Sequence, residues 1–171
     1  SKVYFQLGDY PSCLEHAYRS AEGYEKNSDP KFNMQSVYAY LMIGDVFTRM
    51  GQDERGLHYY QKAYDKASTS RKSAYIKTPI QRIANYYLSK NDFAKAIHLF
   101  DTIITLERRG SPNFEPTMYS NEGLGNVAMK QQNYKKAIHH YRLAFNYASE
   151  KKIAVSQENL CTRLGAAFLA D

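Results

Sequence analysis

Residues 119–144 read YSNEGLGNVAMKQQNYKKAIHHYRLA, and this stretch decides the fold. It has the pattern of one helix–turn–helix hairpin. Leu124-Gly125 and Ala128 come first, then Tyr134, Ala137, Tyr141 and Ala144. Such spacing puts small residues at a close helix contact and lets a later aromatic fill the gap beside them. Gly125 in particular is expected to let two helices approach closely. A single hairpin leaves one side uncovered, so it is stable only when stacked on others.

Versions of the same hairpin run along the chain. Tyr40, Ile43-Gly44 and Phe47 give an apolar face, Met50-Gly51 closes that helix, and Gly56, Tyr60 and Ala63 line its partner. Ile80, Ile83-Ala84 and Tyr87 repeat the first half, followed by the turn Asn91-Asp92-Phe93 and by Ala96, Phe100 and Ile103. The N-terminal copy is degenerate. Tyr4 and Leu7 face inward from the end of a first helix, Gly8-Asp9-Tyr10 turns, and Cys13, Ala17 and Ser20 stand where small, aromatic and small are wanted, with Tyr18 able to fill the aromatic slot. Asp29-Pro30 and Thr78-Pro79 have the form of an N-cap followed by a proline at the first helical position. Residues 70–77 and 109–116 are connectors by this pattern. A last helix over 154–170 carries Leu164-Gly165 and Phe168. The small residue of each first helix falls at Gly44, Ala84, Gly125 and Gly165, spaced 40, 41 and 40.

A chain of 171 residues with 43% hydrophobic content has ample material for a core. Sixteen tyrosines against no tryptophan suit hairpins that use Tyr as a wedge with a wet hydroxyl. The net charge of +6 invites a nucleic-acid reading, but the basic residues form no helical stripe, which argues against it. Cys13 and Cys161 lie at opposite ends of the presumed stack, too far apart to bridge. No apolar run approaches the ~20 residues of a membrane span. The compartment stays open, with the cytoplasm marginally ahead of the periplasm.

The hairpin pattern resembles the tetratricopeptide repeat (TPR), and it covers essentially the whole chain. The resemblance implies an all-α, right-handed TPR-like solenoid of antiparallel hairpins over 1–171, with units near 1–28, 30–69, 77–109, 115–150 and a partial 154–171. Ordinary repeats recur every ~34 residues, so the longer spacing resembles the long-repeat class. That class includes LGN/Pins adaptors, Rap/PlcR-type peptide-pheromone receptors and the TPR regions of bacterial signalling proteins. The chain is accordingly expected to be a fragment of a longer array. Its implied function is non-enzymatic recognition of a protein or peptide segment, as the regulatory or sensor part of a larger protein. A pheromone receptor domain and a structural oligomerisation scaffold are the alternatives.

The resemblance further implies which residues line a concave groove: Leu41, Asp45, Thr48 and Arg49, then Gln81, Asn85, Leu88 and Ser89, then Glu122, Asn126, Met129 and Lys130. Asp45, Asn85 and Asn126 would form its ladder, because Asn donates and accepts together and can hold an extended backbone. Leu124-Gly125-Asn126 looks like the LGN-type signature. A carboxylate-clamp receptor is disfavoured, since Leu41 and Asp45 stand where Lys and Asn would be required.

Other chemistry finds little support. No nucleophile–base, zinc-protease or Walker motif is present, and no cofactor is expected. His58, His98 and His139 recur at equivalent places, but stacked helices put them roughly 10 Å apart, against metal–ligand bonds of about 2 Å. No metal site is expected. Arg71-Lys72, Arg108-Arg109 and Lys151-Lys152 each follow a second helix and form a candidate basic edge. Cations there also complement the helix dipole, which is reason enough for them. The last helix is expected to present Leu160, Leu164 and Phe168 as an apolar stripe open to self-association.

Overall fold

The computed structural model describes residues 5–6, 8–26, 33–69, 75–109 and 114–171. The side chains of Asn33 and of residues 108, 109 and 114–116 are outside that description. Among the described residues eight α-helices and no strand are present: α1 (Tyr10–Glu25), α2 (Asn33–Arg49), α3 (Asp53–Ser68), α4 (Lys77–Ser89), α5 (Phe93–Arg109), α6 (Phe114–Lys130), α7 (Tyr134–Glu150) and α8 (Ala154–Ala170). They divide into two compact units, residues 1–83 and 84–171, with the division inside α4.

The turns explain why the helices end where they do. After α2 the Gln52 N–H donates to the Phe47 carbonyl at 2.8 Å and the Gly51 N–H to Thr48 at 3.0 Å. The same pair of bonds follows α4 (Asp92 to Tyr87, Asn91 to Leu88), α6 (Asn133 to Ala128, Gln132 to Met129) and α7 (Ile153 to Ala148, Lys152 to Ser149). Each is a Schellman closure, which needs a left-handed residue just past the helix. Gly51, Asn91, Gln132 and Lys152 hold those places at φ of 73°, 60°, 58° and 56°. Glycine carries no Cβ to strain there, whereas glutamine does. Gln132→Gly should therefore stabilise the chain by about 0.5–1 kcal/mol, read as a higher denaturant midpoint. A lower midpoint would mean that the Gln132 side chain has a role in the turn.

In the first unit α2 packs between α1 and α3. Ile43, Gly44 and Phe47 are buried against Gly56, Tyr60 and Ala63, as the periodicity predicts. The α1 residues that pack are Cys13, Ala17 and Ala21, not Ser20, which is exposed. Lacking an aromatic, this copy had nothing to fix its phase. Tyr18 turns to Tyr59, ring centroids 5.9 Å apart and hydroxyls 3.0 Å apart. Burial and that hydroxyl contact push its pKa up to about 12. Tyr59 also stacks on Phe47 at 5.5 Å and on Tyr40 at 6.3 Å, while the Arg55 guanidinium covers Phe47 at 4.1 Å. Three of the sixteen tyrosines, Tyr18, Tyr40 and Tyr59, meet in this cluster, where rings pack and hydroxyls stay bonded.

In the second unit α6 packs against α5 and α7, and α8 against α7. Phe100, Ile103, Met118, Val127, Tyr141 and Leu160 form its interior. Leu160, expected on an exposed stripe, is 1% exposed because α7 covers it. Phe168 and Leu169 do reach solvent, at 51% and 92%, and Leu164 is half-buried. Two boundaries also move. Helix α4 starts at Lys77, with the Ile80 N–H already bonded to Ile76, so Thr78-Pro79 lies inside its first turn. Helix α6 starts at Phe114, which shortens the connector before it. Tyr4, Leu7, Asp29 and Pro30 lie outside the described residues.

One polar contact inside this unit is pH-sensitive. Asn121, 3% exposed, donates from Nδ2 to the Thr117 carbonyl, and its Oδ1 sits 3.1 Å from His140 Nδ1. Burial holds the imidazole below its ordinary 6.5, with His139 and Lys136 adding to the effect and Asp101 opposing it. The unfolded chain then binds the proton more readily, so this contribution is complete above the unfolded pKa and is lost as pH falls below it. Melting midpoints should drop as pH falls below the ordinary 6.5 of the unfolded imidazole, and His140→Gln should flatten that slope. An unchanged slope in the variant would clear His140 of the effect.

Candidate binding face of the first helices

The residues expected to line a groove meet several different fates. Leu41 is a core residue, 6% exposed: α2 has neighbours on two sides, and its apolar arc is wider than one stripe. Leu88 is buried as well, at 9%. Thr48 is exposed, and its Oγ1 bonds the Gly44 carbonyl at 3.0 Å. The Arg49 guanidinium lies 4.4 Å from the Phe5 ring centroid. Gln81 is half-buried, while Asn85 and Ser89 are exposed. Lys130 Nζ donates to Asn91 Oδ1 at 2.9 Å.

Asp45 and Asn126 are committed inside the fold. In the first unit Tyr60 Oη donates to Asp45 Oδ1 at 2.8 Å, and Arg82 Nη2 to Oδ2 at 3.1 Å, with Arg82 Nε 3.0 Å from Oδ1. In the second, Tyr141 Oη donates to Asn126 Oδ1 at 2.8 Å and Arg163 Nη1 to the same oxygen at 2.9 Å. Arg163 Nε also pairs with Glu122 at 3.0 Å. The offsets from the acceptor are 15 and 37 residues in both cases. Each clasp thus ties a first helix to its own second helix and to the first helix after that. Burial and the facing Asp45 carboxylate push the Tyr60 hydroxyl far above its usual range, and burial raises Tyr141 too. Both stay protonated and donate.

The copy between them is built differently. Phe100 holds the place of Tyr60 and Tyr141 but has no hydroxyl, and Gly123 holds the place of Arg82 and Arg163. A Cβ on Gly123 would come within 2.3 Å of Phe100 Cζ, so ring and glycine fit only together. Asn85, at the acceptor position of this copy, has no side-chain partner among the described residues. Sequence reasoning missed the clasps, although the matching 15- and 37-residue offsets were there to find.

Residues 37–65, which span most of α2 and α3, match the family model described as a tetratricopeptide repeat. No curated protein matches the sequence. Among solved structures the chain is similar to BtubC (BKLC) from P. vanneervenii, with a TM-score of 0.80 and 14% identity. That likeness covers 94% of this chain and 66% of the other, just under two thirds of its length, and at such identity it concerns the fold. The chain is an all-α, TPR-like solenoid.

The other candidates are placed as follows. His58, His98 and His139 are exposed, and no group of three or more His, Cys, Asp or Glu able to hold a metal occurs among the described residues. Arg71 and Lys72 fall outside the description. Arg108 and Arg109 are the last two residues of α5 and do not follow it. Lys151 and Lys152 are exposed in the turn after α7. Cys13 is buried, burial pushing its thiol up, and Cys161 is exposed. No helix is long and apolar enough to cross a membrane.

Proposed function

We propose that this chain is a non-enzymatic module that binds a protein or peptide segment along the polar face of its first helices, as part of a regulatory protein. The tetratricopeptide repeat supports a role in protein–protein interaction, and an all-helical repeat fold is typically non-catalytic. The 40- to 41-residue recurrence of the left-handed turn residues Gly51, Asn91 and Gln132 supports the long-repeat class. The observation that carries the binding reading is Asn85. Its counterparts Asp45 and Asn126 are consumed by clasps, while its amide stays exposed with donor and acceptor both open. An amide so placed can hold a peptide unit in both directions.

The test is capture of a partner on the immobilised chain, followed by calorimetric titration of that partner into wild type and Asn85→Arg. The arginine variant should fold normally and bind at least tenfold more weakly, because a bulky cation replaces a two-way amide. Equal affinity would move the binding surface away from Asn85. Binding lost only when Lys151 and Lys152 are neutralised would move it to the basic turn.

A further inference from the structure

The second unit contains an open cavity of about 380 Å³. Leu88 from α4, Met129 from α6 and Ala166 from α8 give it aliphatic walls, and Tyr141 completes the apolar lining. Its polar lining residues are Asn126, Lys130 and Arg163, beside the Tyr141 hydroxyl. The volume falls in the range of roughly 300–1,000 Å³ typical of ligand sites, which combine apolar walls with a few placed polar groups.

Those polar groups have one property in common. The Asn126 carbonyl already accepts from Tyr141 Oη and Arg163 Nη1, so both lone pairs are used. Its amide N–H groups remain. Lys130 spends one of its donors on Asn91, and Arg163 spends Nη1 and Nε on Asn126 and Glu122. Apart from the Tyr141 oxygen, which can still accept, what is left around the cavity donates, and of the two cations Arg163 is paired with a carboxylate, Glu122, through Nε. A ligand that brings further donors would find few acceptors there and would meet two like charges. One that brings an anionic acceptor would satisfy them with charge-assisted bonds.

We propose that this cavity takes an extended protein segment in which a leucine- or phenylalanine-sized side chain is followed by an acidic one. The apolar group seats against Leu88, Met129 and Ala166, and the carboxylate meets Lys130 and Arg163. This rests on the protein-binding reading above and adds the chemistry of the segment.

The probe is a short Gly/Ser peptide, blocked at both ends, with a central Leu-Glu pair, titrated into chain carrying ¹³C-methyl methionine. The Met129 methyl signal, assigned with Met129→Leu, should shift and saturate. Peptides with Leu-Lys or Ser-Glu should bind roughly tenfold more weakly, each lacking one of the two contacts. Ala166 and Lys130 are exposed on their helices, so Ala166→Trp and Lys130→Glu should keep full helicity and lose the shift. An unmoved Met129 signal at millimolar peptide overturns the proposal, and so does equal binding of Leu-Lys. Preference for a peptide ending in leucine with a free carboxylate also overturns it, in favour of a chain terminus. If every peptide fails while a captured partner still depends on Asn85, the cavity assignment falls and the protein-binding reading stands.

Discussion

Gly125→Leu is expected to lower the melting midpoint by roughly 10 °C. A Cβ at this position would sit 2.4 Å from Tyr141 Cε1 and 2.5 Å from Cδ1, closer than any real contact. Tyr141 is 2% exposed, and its hydroxyl is fixed on Asn126, so the ring has little room to withdraw. Overpacking of this kind costs about 1–3 kcal/mol, well above the helix propensity regained on removing glycine, at most ~1 kcal/mol. Gly44 makes the equivalent contact with Tyr60, at 2.5 Å from Cε1, and Gly44→Leu should behave alike. Gly165 supplies the control. It occupies the same place in α8 but has nothing within 4 Å. Gly165→Ala should leave the midpoint unchanged or raise it, since a helical glycine costs roughly 0.5–1 kcal/mol relative to alanine. Circular-dichroism melting of the three variants decides the matter. An unchanged midpoint for Gly125→Leu would refute the close contact.

Asn126→Ala should destabilise the chain by about 1–3 kcal/mol, because it strands two donors at once. The Tyr141 hydroxyl and the Arg163 guanidinium both lose their shared acceptor, and the former belongs to a buried ring. Asn126→Asp keeps an acceptor, as Asp45 does in the first unit, and should recover most of the loss. Asn85→Ala changes an exposed side chain and should stay within ~0.5 kcal/mol of wild type. Denaturant unfolding of the three variants makes the comparison. A loss at Asn126 no larger than that at Asn85 would mean that the clasp contributes nothing to stability. The contrast also bears on binding experiments. Asn85 can be altered without disturbing the fold, whereas a binding defect in Asn126→Ala would mix lost contacts with lost structure.

The sequence by itself determined the hairpins from α2 onward, their register and their close contacts, but not the phase of α1. Helical periodicity is local, so Ile43, Gly44 and Phe47, or Leu124, Gly125 and Ala128, declare a buried face without reference to any partner. The turn residues Gly51 and Asn91 were legible for a similar reason, because a left-handed backbone selects glycine or asparagine. Gln132 and Lys152 hold the same conformation with residues that carry no such signature.

Only the tertiary structure decided which polar residues were free to act. Asp45, Asn85 and Asn126 look alike as polar positions on first helices. The difference lies in whether a tyrosine 15 residues on and an arginine 37 residues on reach the same oxygen, which two copies provide. The third has Phe100 in the tyrosine's place, and Gly123 stands two residues before Gly125 where Arg82 and Arg163 stand two before Ala84 and Gly165. Leu41 and Leu160 were misplaced for a related reason. A helix stacked on both sides buries more of its circumference than its own amphipathic stripe announces, and neighbours set that arc, not the helix's own sequence.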